Sequence, residues 1–218
     1  MRFFADTLDN HLMLEVLKIW AALVIFGVIH TALASPGAKA LARRVLGDHV
    51  ADATYRLIFN ALALISFGPA TYLMVTLPDR ALYSFPAPFD SIALLIQGLA
   101  VLGLIYAVYQ MDWAFFLGLR QLVEPPPNTT IDSTSTSHLV TDGLHHFVRH
   151  PLYTLSLVVL YLVSPMTLNR LAFVIGAHVY FYIGSIFEER KLVREFGDAY
   201  RDYQRRVPRL MPRLWPSR

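Results

Sequence analysis

Cysteine is absent from the sequence. Its absence removes disulfides, iron–sulfur clusters, thiolate zinc sites and cysteine nucleophiles together. Charge is also scarce. Asp, Glu, Lys and Arg make up 16 % of residues, against about a quarter in a soluble domain. No internal repeat is visible. A secretory leader is not expected either, because Asp6, Asp9 and Glu15 precede a first apolar run that is longer than a leader's hydrophobic segment. The net charge of +3 and pI near 9.2 do not point to nucleic acid. The basic residues flank apolar runs, the usual arrangement beside membrane helices.

What is present is apolar length. Hydrophobic residues make up 55 % of the 218, and the mean hydropathy is +0.44. A membrane span needs about 20 mostly apolar residues, and Val16–Ala34, Leu57–Leu77 and Ile92–Met111 meet that requirement. Leu152–Val163 and Leu171–Phe187 are shorter and are separated by Ser164-Pro165-Met166-Thr167, so they read as a membrane hairpin. The first of the two is too short alone. It must extend back through Phe147, tilt, or sit behind other helices. The expectation is an all-α integral membrane bundle of about five transmembrane helices, one domain over residues 1–218. A polar loop at 120–146 and a tail at 188–218 complete it.

Orientation follows the Lys and Arg of the loops. Lys39, Arg43 and Arg44 mark the first loop, Arg120 and Arg149 the third, and Arg190 through Arg218 the tail. These three segments are expected in the cytoplasm, with the N-terminus outside and the whole in a cell's inner membrane. The third loop contains Pro125-Pro126-Pro127, which cannot continue a helix, and then a polar Ser/Thr-rich tract. The sequon at Asn128 falls in a loop that would not meet the glycosylation machinery.

Polar residues at membrane depth are costly and therefore candidate functional groups. The densest set straddles the last hairpin: His145, His146, Arg149, His150 and Tyr153 before it, and Glu188, Glu189 and Arg190 after it. An antiparallel hairpin brings both sets to one interface. One reading is an interfacial anchor of snorkelling side chains. Another is a ligand site, because helical spacing places Gly176, Tyr180, Gly184 and Glu188 on one stripe, a groove leading to a carboxylate. A zwitterionic amino-acid group needs a cation and a carboxylate, and S-adenosylmethionine (AdoMet) is one ligand among several with such a group.

The stretch Val148-Arg149-His150-Pro151-Leu152-Tyr153, then Glu188-Glu189-Arg190-Lys191-Leu192-Val193, Phe196-Gly197-Asp198-Ala199-Tyr200, Tyr203 and Val207-Pro208 to Pro212 resembles the membrane methyltransferases. That superfamily includes isoprenylcysteine carboxyl methyltransferases and phospholipid methyltransferases. His30-Thr31-Ala32-Leu33-Ala34-Ser35, Tyr55-Arg56 with Phe59-Asn60, and Asp112 with Phe116-Leu117-Gly118-Leu119-Arg120-Gln121 are similar to the methanethiol S-methyltransferases of the NnrU-like membrane family. Thr31 and Phe59 depart from that pattern, where Ser and Tyr are expected. The resemblance implies AdoMet as cofactor and a small thiol, or a lipid-like molecule, as acceptor. It implies Arg149 and His150 at the methionine carboxylate, Glu188 or Glu189 at the ammonium, and Tyr153, Tyr200 and Tyr203 as walls. Arg120, His30 or Glu188 would assist loss of the thiol proton. Isoprenylcysteine or phospholipid methylation would suit the same architecture. Haem bound between His30 and His150 is the other alternative that the NnrU-like family suggests.

Overall fold

A computed structural model describes residues 2–110, 112–124 and 139–212, with side chains from residue 11 onward. The proline run at 125–127, the Ser/Thr tract with Asn128, and Arg213 and Arg218 lie outside the described residues. Nearly all ordered structure is helical. Four helices are long and apolar enough to cross a membrane: α1 (Arg2–Ala34), α3 (Asp48–Thr76), α4 (Phe89–Gln110) and α8 (Leu168–Phe196). Their large apolar side chains remain exposed, Leu64 at 73 % for example. Only lipid makes such a surface tolerable. The protein is an all-α membrane helical bundle.

The fourth predicted span, Leu152–Val163, is the short one. Helix α7 (Pro151–Tyr161) has 11 residues and rises about 16 Å, about half of the hydrocarbon core. It does not extend back through Phe147. Pro151 occupies its first turn, where a proline lacking an N–H is harmless. His150 before it is non-helical (φ −125°, ψ 70°), since proline disfavours the helical region in the residue it follows.

The chain divides into two compact units. The first comprises Met1–Ser84, Met111–Thr134 and Pro165–Gly176. Here α1 packs on α3, with Tyr55 Oη donating to the Leu33 carbonyl. Trp20 donates its indole N–H to the Ala172 carbonyl at 2.8 Å. Gly176 accommodates Leu23, whose Cδ1 would lie 2.5 Å from an added Cβ. The first loop contains α2 (Pro36–Leu46), capped by Ser35 and tied to α3 through Arg43 and Asp52 at 2.8 Å. Strands β1 (Ala81–Tyr83) and β2 (Met166–Thr167) pair antiparallel. The connection from α3 to α4 and the one before α8 therefore share a side of the membrane. Helices α5 (Trp113–Leu117) and α6 (Arg120–Val123) are clamped to α3. Arg56 donates to the Phe115 carbonyl, and Asn60 to those of Phe116 and Leu117. Gly118, at φ +89°, lets the Leu57 backbone approach to 2.6 Å of where a Cβ would stand.

The second unit comprises Phe85–Gln110, Ser135–Ser164 and Ala177–Arg218. Ala93, Ala100 and Ala107 form a buried small-residue seam on α4, of the kind that lets membrane helices approach closely. On the same face Gln97 donates to the Val159 carbonyl of α7. At Gly103 an added Cβ would stand 3.0 Å from Leu155. After α8, Gly197 takes a positive φ of 57° and turns the chain into α9 (Asp198–Arg206).

Candidate functional site

Helix α8 presents Glu188 and Glu189 on adjacent positions, and their surroundings differ completely. Glu189 is 3 % exposed. Its Oε1 accepts from Arg149 Nε at 2.8 Å and Arg209 Nε at 3.2 Å, and lies 3.1 Å from His150 Nε2. Its Oε2 accepts from Gln204 Nε2 at 2.8 Å and Arg209 Nη2 at 2.9 Å. Arg149 spends its Nη1 on the carbonyls of Gln204 and Val207. A buried ion pair is tolerable only when such bonds satisfy both partners.

The irregular segment leading to α7 is held by the tail. The amides of Arg149 and His150 donate to the carbonyls of Pro208 and Arg209, and Thr154 Oγ1 donates to that of Leu210. Non-helical backbone at membrane depth requires such partners. The motif Val207-Pro208 thus forms an extended strip that completes the entry to α7.

Glu188 has a half-exposed side chain. Its Oε2 accepts from Tyr153 Oη at 3.2 Å and lies 3.4 Å from His150 Nδ1. The rings of His150, Tyr153 and Phe181 stack nearly parallel, at 5.3 and 4.8 Å between centroids. Gly184 leaves room for the Tyr153 hydroxyl, 4.0 Å from an added Cβ. The glycine stripe expected to form a groove is therefore occupied by side chains, Leu23 at Gly176 and Tyr153 at Gly184.

Tyr200 and Tyr203, expected as walls, lie in the core between α8 and α9 at 1 % and 3 % exposure, packed with Val207, Leu192, Val193 and Phe196. Tyr203 Oη donates to the His145 carbonyl at 2.6 Å. Burial, with the charge of Glu189 nearby, raises the Tyr200 phenol. Tyr203 is pushed up to about 12, chiefly by burial. Both hydroxyls stay protonated and serve as supports.

Burial opposes charge on His150, but hydrogen bonds and negative charge from Glu188 and Glu189 outweigh it and raise its pKa. His145 goes the other way, lowered by burial and by the charge of His150. Its Nδ1 is buried and has no hydrogen-bond partner among the described residues.

The cluster Arg149, His150, Tyr153, Glu188 and Glu189, backed by Tyr200 and Tyr203, belongs to the second unit. His30 and Arg120 belong to the first. His30 lies against the rings of Phe26 and Phe59, and Arg120 pairs with Asp112 at 2.6 Å. Arg209 and Gln204 had no assigned role in the sequence reading, although both complete the coordination of Glu189. The nearest signal was the position of Arg209 one residue after Pro208.

Several characterised proteins are similar to this chain. Methanethiol S-methyltransferase 2 of Bradyrhizobium diazoefficiens is 30 % identical over 197 residues, 89 % of this chain and 72 % of that protein. Methanethiol S-methyltransferase of Mycobacterium tuberculosis is 31 % identical over 210 residues, 89 % of this chain and 76 % of its own. The enzyme of that name from Pseudomonas deceptionensis is 28 % identical over 205 residues, 93 % of this chain and 73 % of its own. No protein-family model and no solved structure matches the chain.

Proposed function

The chain belongs to the methanethiol S-methyltransferase family, and from that premise we propose that it methylates methanethiol to dimethyl sulfide with AdoMet as methyl donor. The observation that supports this reading is the half-exposed carboxylate of Glu188 beside the stacked rings of His150, Tyr153 and Phe181. That set fits the amino-acid end of AdoMet. Glu188 would accept the ammonium, and the flat ring faces suit a sulfonium or an adenine.

When bound, AdoMet supplies an electrophilic methyl group on a cationic sulfur, which is neutralised as the new carbon–sulfur bond forms. Arg149 Nε and Nη1 and both Glu189 oxygens are engaged with one another and with the tail, so we assign this pair to positioning His150. His150 orients Glu188. Tyr153 fixes the other side of the same carboxylate oxygen. Tyr200 and Tyr203 hold α9 and exclude water from behind. The methionine carboxylate would lie toward His150. For the thiol proton, the acceptor that this cluster itself offers is the Glu188 carboxylate. Burial of His150 and Glu189 keeps the site dry, which favours a reaction that annihilates charge.

The Lys and Arg distribution supports an inner-membrane location with the N-terminus outside and this cluster at the cytoplasmic face, where AdoMet is made. Purified protein in lipid nanodiscs, given AdoMet and methanethiol, should release dimethyl sulfide, detected by gas chromatography. Glu188→Gln should lower AdoMet affinity by about 1.5–3 kcal/mol, the scale of a charged hydrogen bond, with a far smaller fall in melting temperature than Glu189→Gln causes. Methylation of a prenylcysteine or phospholipid without turnover of methanethiol would overturn the substrate. Calorimetry showing no AdoMet binding would overturn the cofactor.

A further inference from the structure

On α8, Ile186, Arg190 and Val193 fall on one stripe (i, i+4, i+7), and Phe181, Gly184 and Glu188 fall on the opposite one. Beside the first stripe is a cavity of about 460 Å³. Its lining is mostly apolar, from Ile186 and Val193 and the stems of Arg190, Arg194 and Arg209, so the guanidinium groups stand around its rim. The only carboxylate in the lining is that of Glu189, whose two oxygens are already taken by Arg149, His150, Gln204 and Arg209. Arg190 and Arg194 pair with no carboxylate among the described residues. Arg190 lies over the Phe187 ring at 5.6 Å, and Arg209 over Tyr182 at 5.4 Å. Arg209 is matched by Glu189, so the unmatched positive charge at this rim is that of Arg190 and Arg194.

We propose that this cavity binds the phosphate of an anionic membrane lipid. The depth supports this occupant. The apolar part of α8 ends at Phe187, and the charged part begins at once, so the arginines stand at the level of lipid headgroups. Guanidinium groups match phosphate oxygens in a fork geometry that lysine cannot reproduce. Exposed Tyr182, Ile183 and Phe187 on the preceding turns offer a surface for the acyl chains, which a free phosphate would not use. The inference does not depend on the transferase reading.

The test uses full-length protein in maltoside micelles and a fluorescent phosphatidylglycerol, with binding followed by anisotropy. Phosphatidylglycerol should bind at least about ten-fold more tightly than phosphatidylcholine with the same chains. The double variant Arg190→Gln/Arg194→Gln should weaken it roughly 30-fold, given the usual contribution of an arginine at an anionic surface. Both side chains are exposed, so the variant should melt as the parent does. Equal binding of the two lipids, or undiminished binding by the variant, would overturn the proposal. Displacement by millimolar inorganic phosphate would identify a soluble anion as the ligand instead. Displacement by AdoMet would assign the cavity to the cofactor, and either result would sink the lipid.

Discussion

At Glu189 five donor atoms converge on two oxygens, whereas Glu188, one position earlier, has a half-exposed side chain. Glu189→Gln would leave Arg149 buried without its counter-charge, at a cost of about 3–5 kcal/mol. A lowered melting temperature, with activity lost through instability, is the expected result, in contrast to Glu188→Gln. The raised pKa of His150 adds a pH dependence with a definite sign. A group whose folded pKa is raised stabilises fully below its unfolded value near 6.5, and loses that contribution as pH climbs through the folded value. The groups facing it are Glu188, Glu189 and His145. His145, being lowered, has the opposite sign and destabilises the fold as pH falls below about 6.5. Melting temperatures taken from pH 6 to 9 should therefore show the advantage of the parent over His150→Asn shrinking as pH rises. A constant gap would refute the His150–Glu pairing. The doublet Glu188-Glu189 stands out in the sequence as a candidate pair at the end of an apolar run. Which member is saturated was not legible there, because that depends on Arg209 and Gln204 returning from the tail.

Elements show the same division. The four long helices were legible because a continuous apolar run has few other uses. Their ends were not. Helix α3 begins at Asp48 rather than Leu57, since a helix continues through polar residues once nothing stops it. Helix α8 likewise runs on to Phe196, past Phe187. Strands β1 and β2 left no pattern, being three and two residues long. The Phe116–Gln121 motif acts as a clamp on α3, and Gly118 is its tightest point. Gly118→Ala would force a side chain into a left-handed φ and against the Leu57 backbone, costing about 2 kcal/mol or more. Gly98, with open space around it, is the control: Gly98→Ala should melt no lower than the parent.

For the whole molecule the testable quantity is topology. If the Lys and Arg asymmetry sets orientation, alkaline phosphatase fused after Ala81 should be active and after Arg213 inactive. The reverse pattern would place Arg149 and Glu188 on the side away from cytosolic AdoMet. The antiparallel pairing of Ala81 with Thr167 adds a constraint that hydropathy cannot supply: whichever side takes Ala81 takes the turn before α8 as well. The chain must therefore regain the opposite face between β1 and Arg149. It does so through α4, leaving α7 to return with half a span of helix.

Among the described residues, the hydrogen-bond partners of the Arg149 side chain are encoded after it: Glu189 by 40 residues, Gln204 by 55 and Val207 by 58. A ribosome delivers this arginine to the translocation channel while every group that will neutralise or accept from it is still unmade. During that interval water is the only available partner for the guanidinium, so α7, half-length and tethered to it, has no favourable reason to enter lipid ahead of α8. In that order of synthesis, the irregular entry to α7 gains its ion pair only once Glu189 and the tail have been made.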